Sequence, residues 1–215
     1  MKILAVGAHP DDVEIGSGGF LLKNVRSGNE VFIYVLTRGE AGESDQTGTL
    51  EEREHEARLS AKEMGAKEIS FGGFKDTRLS PGGDLVDSIE SVINHVHPDV
   101  VLMHPVSDEH HDHRAVGSST VEAARSCRQI FAYENPLTKD FLPQHYVDIS
   151  DLIDEKIGLL SIFSSQNHKV YLLPTAIRGL AQYRAYQSRI PEIRFAEAFQ
   201  VVKCTVNCIS SQDCP

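Results

Sequence analysis

The chain has 215 residues, of which 40% are hydrophobic and 24% are charged, and its formal net charge is -10 at pH 7. This composition is typical of a globular domain that can bury a core without disulfides, and no apolar stretch is long enough to span a bilayer. The negative charge repels nucleic-acid backbones and anionic membrane surfaces. We therefore expect a single domain with no nucleic-acid partner and no membrane insertion.

The N-terminal residues and the cysteines both indicate a cytoplasmic protein. Residues 1–8 carry one basic residue and then a strand-like run, without the features of a secretory signal peptide. Three of the four cysteines, Cys204, Cys208 and Cys214, fall in the last dozen residues, so no disulfide framework is implied. Residues 204–215 are predicted to form a flexible, exposed tail.

Apolar runs alternate with segments of helical period along the chain. Strands are predicted over 2–8, 31–37, 68–73, 99–104, 129–134, 145–150 and 195–203, and helices over 17–27, 50–64, 83–96, 112–126, 151–163 and 174–188. Gly28 and Gly65 are placed to cap the first two helices in a left-handed conformation, and Pro98 follows the third helix. The alternation predicts an α/β fold with a Rossmann-like, mostly parallel sheet and helices on both faces.

A cluster of metal-ligand side chains directly follows the first predicted strand. The stretch GAHPDDVEIGSGG places His9, Asp11 and Asp12 at the carboxyl end of that strand, where ligands bind in such sheets. Adjacent carboxylates repel each other unless a cation or a shared proton relieves them. Taken alone, Asp11 or Asp12 is better explained as a helix cap or a first-turn acid.

The glycines at positions 16, 18 and 19 have two interpretations. They resemble a phosphate-binding loop, but GSGG lacks the dinucleotide spacing and the Lys-Ser/Thr pair of a P-loop. Close packing of the backbone is therefore the better interpretation.

A second cluster, SDEHHDHRAVG at residues 107–117, follows the fourth predicted strand. His113 can join His9 and Asp12 in a set of two histidines and one carboxylate with an open position, which suits zinc or another divalent transition ion. Such an ion would lower the pKa of its bound water to roughly 7 and polarise a carbonyl oxygen, as amide hydrolysis requires. Each cluster alone could be a solvated surface feature, but their joint position at strand ends favours a metal site.

The remaining polar residues of both clusters have candidate catalytic roles. Asp11 could take a proton from the bound water as a general base. His110 could protonate the leaving amine or stabilise the oxyanion. Asp112 could orient one of the histidines.

The motifs AVGAHPDDVEIGSGG, TRGEAG, REHEA and HHDHRAVG resemble the PIG-L/LmbE-like family of zinc-dependent N-acetylglucosaminyl deacetylases, whose hallmarks are A-H-P-D-D and a later H-x-D-H. The resemblance covers nearly the whole chain and implies a deacetylase domain over residues 1–203. It implies Asp11 as the general base and His110, supported by Asp112, as the acid or oxyanion-stabilising group. The zinc ligands that it implies are His9, Asp12 and His113.

The resemblance also implies two substrate-binding residues. Arg53 matches a family arginine on the substrate side of the pocket, and Asp76 lies where family members place a carboxylate near the sugar hydroxyls. The alternative for Arg53 is an exposed helix residue that pairs with Glu52 or Glu56. One departure is Asp108, which stands where some relatives have a tyrosine.

The sequence therefore predicts a zinc-dependent hydrolase that removes acetyl from a small N-acetylglucosamine-type conjugate. Family members often assemble as trimers or hexamers, so a homo-oligomer is expected. One alternative is another mononuclear metal hydrolase, such as an esterase or phosphoesterase, although three good ligands are fewer than a two-metal cluster uses. The other is a sugar- or metal-binding protein without turnover.

Overall fold

The computed structural model describes residues 1–41, 50–136 and 138–205. Its strands and helices follow the predicted order along the chain. The strands are β1 (Lys2–Gly7), β2 (Glu30–Thr37), β3 (Glu68–Phe74), β4 (Val100–Met103), β5 (Gln129–Tyr133), β6 (His145–Asp148) and β7 (Ala196–Cys204). The helices are α1 (Asp12–Arg26), α2 (Leu50–Met64), α3 (Gly83–Val96), α4 (His111–Ala123), α5 (Ile153–Ser161) and α6 (Pro174–Ser188), with short 3-10 turns at Ser164–Gln166 and Val170–Leu172.

The seven strands form one sheet in the order β3-β2-β1-β4-β5-β7-β6. Strands β1 to β5 pair in parallel, whereas β7 runs antiparallel to both of its neighbours. The predicted Rossmann-like, mostly parallel sheet is therefore confirmed.

Helices cover both faces of the sheet, as predicted. Alternate residues of β1 contribute to two separate cores: Ile3 packs into the core that includes α1, α2, α5 and α6, and Leu4 into the core that includes α3 and α4. Strands buried on both faces are typical of parallel sheets. Among the described helices, none combines the length and the apolar character needed to cross a membrane.

The sheet changes its winding direction between β1 and β4. The chain proceeds from β1 to β2 and β3 on one side and then returns to add β4 on the other side of β1. Such a switch point opens a crevice at the carboxyl ends of the two strands. Both predicted ligand clusters follow these two strands directly, so the topology brings them together.

The predicted start of the first helix, residue 17, is wrong, because α1 begins at Asp12. Gly16, Gly18 and Gly19 all lie inside the helix. At two of these positions a neighbouring side chain packs so closely that there is no room for a Cβ atom. A Cβ at Gly16 would lie 2.2 Å from Cδ2 of Tyr133, and a Cβ at Gly19 would lie 2.7 Å from Cγ2 of Ile149. The close-packing interpretation of these two glycines is confirmed.

The other predicted boundaries hold within a few residues. Gly28 and Gly65 have φ angles of 80° and 84°, so both have the expected left-handed conformation. The predicted tail begins one residue too early, because Cys204 is the last residue of β7. Residues 206–215 of that tail lie outside the described residues.

Candidate active site

A cavity of about 170 Å³ opens at the carboxyl ends of β1, β4 and β5. It is lined by residues from both predicted clusters, from α2, and from the connections that follow β3, β5 and α5. Its lining residues are His9, Asp11, Asp12, Ile15, Ala41, Arg53, Asp76, Thr77, His110, His113, Asn135, Pro136, Lys169 and Tyr171. Seven of the eight site residues predicted from the sequence therefore share this cavity wall, and the eighth, Asp112, contacts His9 from behind.

Two of the predicted metal ligands, His9 and His113, lie close to the carboxylate of the third, Asp12. Nδ1 of His9 lies 3.3 Å from Oδ2 of Asp12, and Nε2 of His113 lies 3.2 Å from Oδ1. All three side chains are buried or nearly so. Two imidazole nitrogens and a carboxylate are ligand types that zinc takes in proteins.

The far nitrogen of each histidine faces another carboxylate. Nε2 of His9 lies 3.1 Å from Oδ2 of Asp112 and 3.0 Å from Oδ1 of Asp76. Nδ1 of His113 lies 3.2 Å from Oδ1 of Asp108, although the contact lacks the alignment of a hydrogen bond. Carboxylates behind ligating histidines orient the ring and raise the basicity of the nitrogen that binds metal. This second layer strengthens the fit to a metal.

Other groupings of the same side chains could also hold a cation. Within the described residues, three sets of three ligand atoms lie within 4.8 Å of one another: His9, His110 and His113; Asp12, His104 and His113; and His9, Asp76 and Asp112. In the second set, Nε2 of His104 already accepts a hydrogen bond from the Ala8 amide at 3.0 Å. In the third set, Asp112 is already occupied by two backbone amides, those of Thr77 and Leu79. The predicted trio of His9, Asp12 and His113 is not itself one of these three sets, although His113 shares one set with His9 and another with Asp12.

Burial and charge set the protonation of this centre. Burial disfavours the charged form of His113, but the Asp12 and Asp108 carboxylates together outweigh it and raise the pKa of the imidazole to about 9. Burial likewise opposes ionisation of Asp12, but His113 and His104 hold its pKa well below the ordinary value. A divalent ion must therefore displace a proton from His113 when it binds, because ligating imidazoles are neutral.

Asp11 has an unusual backbone and an unpaired oxygen. Its φ of 99° is in the left-handed region, which an L-residue rarely adopts. Its Oδ2 is buried and has no hydrogen-bond partner in the described part of the chain. Burial raises the pKa of this carboxyl to about 6, against the charge of Arg53. Asp11 thus offers a free acceptor beside the predicted ligands.

His110 lies at the N-cap of α4 and lines the same cavity as Asp11. Its Nδ1 accepts a hydrogen bond from the Asp112 amide at 3.2 Å, which leaves the proton of the neutral ring on Nε2. Burial, and then the charge of His113, lower the pKa of His110 to about 4. The backbone of Asp112 therefore supports His110, while its carboxylate contacts His9.

The exposed alternative for Arg53 is wrong, because the residue is only 2% exposed. Its guanidinium donates to the carbonyl oxygens of Gly39 and Pro10 and lies 3.9 Å from Oδ2 of Asp11. Asp76 is also buried, and besides His9 it contacts the Ala41 amide, which donates to Oδ2 at 2.9 Å.

Several residues of the site were not predicted. His104 stacks on His113 with ring centroids 3.9 Å apart, and Nδ2 of Asn135 donates to Oδ1 of Asp12 at 3.1 Å. Both residues follow strand ends, so the rule that identified the two clusters could have identified them as well. Lys169 and Tyr171 reach the cavity from a segment without any recognisable motif.

Asp108, the residue that departs from the family pattern, is almost completely buried beneath the site. Its Oδ1 accepts from the His110 amide at 2.8 Å, and its Oδ2 accepts from the Thr138 hydroxyl at 2.7 Å. It therefore fixes the start of the segment that carries His110 and His113.

Fold and site together define a Rossmann-like α/β enzyme with a histidine–carboxylate centre at its switch point. The chain matches the PIG-L family, described as GlcNAc-PI de-N-acetylase, over residues 4–124, which is more than half of its length. It therefore belongs to the PIG-L family, and the predicted class of enzyme, an N-deacetylase, is confirmed at the level of the family.

Individual relatives agree with this membership. The chain is 33% identical over 174 residues to the uncharacterized deacetylase YaiS of Escherichia coli, which covers 78% of the chain and 90% of YaiS. It is 30% identical over 186 residues to the diacetylchitobiose deacetylase of Thermococcus kodakarensis. This match covers 77% of the chain and 70% of the deacetylase. Among solved structures, the conserved protein TT1542 of Thermus thermophilus superposes with a TM-score of 0.84 at 26% identity, over 96% of both chains.

One relative has a different reaction in its name. The chain is 24% identical over 191 residues to the 4-oxalmesaconate hydratase of Pseudomonas putida, with 77% of the chain and 74% of the hydratase covered. The relatives of this chain therefore include both deacetylases and an enzyme named as a hydratase.

Proposed function

We propose that this protein hydrolyses the N-acetyl group of a small N-acetylglucosamine-type conjugate with a zinc ion held by His9, Asp12 and His113. The observation that carries the proposal is the buried Oδ2 of Asp11, which has no hydrogen-bond partner among the described residues and lies next to the predicted ligands His9, Asp12 and His113. When bound, zinc or another divalent transition ion supplies the Lewis acidity that polarises an amide carbonyl and the attacking water.

The residues of the chain divide the proton transfers between them. Asp11 accepts a proton from the attacking water while the water oxygen bonds to the carbonyl carbon. The Nε2–H of His110 donates a hydrogen bond to the oxyanion that forms, because the neutral ring carries its proton there. As the C–N bond breaks, Asp11 returns the proton that it accepted to the leaving nitrogen, and acetate and a free amine are released.

The substrate class rests on the family and on the cavity. Relatives named for diacetylchitobiose and for an N-acetylglucosaminyl inositol, the latter in Kineococcus radiotolerans, share an N-acetylated sugar. Asp76 lines the cavity with an acceptor for sugar hydroxyls, and Tyr171 adds an aromatic face. We propose these two as the substrate-contacting residues. Arg53, which the family resemblance also placed on the substrate side, already donates to two backbone carbonyls.

Acetate release tests the function. Purified protein loaded with one equivalent of zinc is incubated with N-acetylglucosamine conjugates, including diacetylchitobiose, and acetate and metal are measured on the same sample. We expect turnover that is lost in Asp11→Asn while zinc stays bound. Zinc binding without acetate release would overturn the proposal in favour of a binding protein.

A hydratase reaction is the second candidate, favoured by the relative of that name. It needs the same activation of water but no cleavage of an amide. Incubation with an unsaturated dicarboxylate, followed by loss of the absorbance of its double bond, would identify it. Esters and phosphoesters in the same panel test the remaining hydrolase alternatives.

We further propose that the protein works in the cytoplasm as a homo-oligomer, a trimer or a hexamer. The oligomer is proposed from the family resemblance. No described helix could cross a membrane, which is compatible with the proposed location. Native mass spectrometry and cell fractionation would test the two statements separately.

A further inference from the structure

We infer that Arg53 is a positioning residue that holds the Pro10–Asp11 peptide, and with it the proposed general base, in a fixed geometry. This role differs from direct contact with a sugar. It rests on the proposed function for its kinetic test, whereas its structural test is independent of activity.

Arg53 joins three separate segments of the chain. It lies on α2, its Nη1 donates to the Gly39 carbonyl at 2.5 Å, and its Nη2 donates to the Pro10 carbonyl at 3.0 Å. Gly39 follows β2, and Pro10 lies in the turn between β1 and α1. Both terminal nitrogens of the guanidinium bind backbone oxygens, and the buried Nε has no hydrogen-bond partner within residues 1–41, 50–136 and 138–205. The main contacts of Arg53 are therefore with the protein itself.

The Pro10 carbonyl belongs to the peptide plane that precedes Asp11. The φ angle of Asp11, 99°, describes the rotation about the bond that follows this peptide plane, and an L-residue in this left-handed region is strained. Nothing in the side chain of Asp11 caps the helix to offset this strain. The hydrogen bond from Arg53 to Pro10 therefore restrains the strained peptide on which the direction of the Asp11 carboxylate depends.

Charge adds a second constraint. A buried guanidinium requires a nearby anion, and within the described residues Asp11 provides the carboxylate oxygen that lies within 4.0 Å of Arg53, at 3.9 Å. Hence the same side chain fixes the backbone of Asp11 and attracts its carboxylate.

Gly39 provides the space for the guanidinium. A Cβ at this position would lie 2.1 Å from Nη1 and 2.4 Å from Cζ of Arg53. The φ of Gly39 is +72°, so glycine is favoured for conformational reasons as well. Any side chain at position 39 must displace Arg53.

Two pairs of variants test the inference. Arg53→Lys keeps the positive charge but loses the pair of hydrogen bonds to the Gly39 and Pro10 carbonyls. Its control is Arg58→Lys, because Arg58 is an exposed arginine on the same helix and pairs with Glu54. Gly39→Ala displaces the guanidinium, and Gly73→Ala is its control, because Gly73 has a φ of +71° but open space where the Cβ would be.

The kinetic result separates positioning from substrate binding. We expect kcat for acetate release to fall by about 10- to 100-fold in Arg53→Lys and Gly39→Ala, with KM changed less than about threefold, because misplacement of a catalytic group slows the chemical step. Both controls should keep wild-type values. A raised KM with unchanged kcat would overturn the inference and make Arg53 a substrate ligand.

Hydrogen exchange gives the readout that does not depend on activity. The amides of His9 and Asp12 are both hydrogen-bonded within the turn, to Oδ2 of Asp12 and to the His9 carbonyl. In metal-free and in zinc-loaded protein, peptides that cover residues 8–12 should exchange at least about tenfold faster in Arg53→Lys and Gly39→Ala than in the controls. Unchanged exchange would refute the positioning role, whereas absence of turnover in the wild type would refute only the proposed function.

Discussion

The carboxylate of Asp112 lies 3.1 Å from Nε2 of His9, although 103 positions separate the two residues in the sequence. The Thr77 and Leu79 amides donate to the same carboxylate at 2.8 Å and 3.0 Å. These two hydrogen bonds hold the Asp112 carboxylate in place. Together with Oδ1 of Asp76, 3.0 Å from the same nitrogen, it occupies Nε2 of His9 and leaves Nδ1 facing Asp12.

Replacement of Asp112 by Asn should weaken zinc binding by about 10- to 100-fold, which is the usual effect of losing a carboxylate behind a ligating histidine. Competition with a chelator of known affinity measures the change. Glu122→Gln, at an exposed position on the same helix, is the control and should bind zinc like the wild type. Equal affinities in all three proteins would contradict the assignment of His9 as a ligand.

Replacement of Asp11 by Asn should lower kcat by about 10²- to 10⁴-fold and leave zinc affinity nearly unchanged, because Asp11 is proposed to move a proton rather than to bind the ion. Burial raises the pKa of the Asp11 carboxyl to about 6, so the active, ionised form is lost as the pH falls through that region. A bound cation favours the ionised form and moves this acid limb below pH 6. The pH profile of kcat/KM checks the limb, and zinc content checks the variant.

Stability should depend on Glu14, a buried carboxyl on α1 that accepts a hydrogen bond from the Ser60 hydroxyl at 2.8 Å. Burial raises its pKa from 4.5 to about 7 in the folded chain. The folded state therefore holds the proton more tightly than the unfolded state, and stability is lost as the pH rises from about 4.5 to 7. Ionised Glu14 should cost on the order of 3 kcal/mol at pH 8.

Glu14→Gln removes this cost because the amide does not ionise. Urea unfolding should find the variant more stable than the wild type at pH 8, with little difference at pH 4.5. Glu63→Gln, an exposed position on α2, should change nothing at either pH. A variant that is less stable than the wild type at pH 8 would show that the buried charge is well compensated.

Gly16→Ala should destabilise the fold by about 1–3 kcal/mol, because the new methyl group must push apart α1 and the side chain of Tyr133. Gly158→Ala is the matched control, since Gly158 lies on α5 with open space around its Cβ. There the substitution should stabilise the helix by up to about 1 kcal/mol. Thermal unfolding of both variants separates crowding from helix propensity.

Much of the fold follows from local patterns. Alternating apolar and helical segments were sufficient for the sheet class, and positive-φ glycines at 28 and 65 ended helices where expected. The predicted start of α1 fell after Gly16, a poor helix former in isolation, whereas here the helix includes Gly16 and packs it closely against Tyr133.

The sequence by itself determined which residue types were available for chemistry: His9, Asp11 and Asp12 after one strand, and His110, Asp112 and His113 after another. Parallel pairing of β1 with β4 places both strand ends at one edge, and for that reason the two clusters could be predicted to meet. Only the tertiary structure decided the partners within the cluster. It directs the Asp112 carboxylate to His9, buries Arg53 against Gly39 and Pro10, and adds Asn135 and Lys169 to the cavity wall. These contacts depend on the directions of side chains brought together from distant segments, and no spacing along the chain encodes those directions.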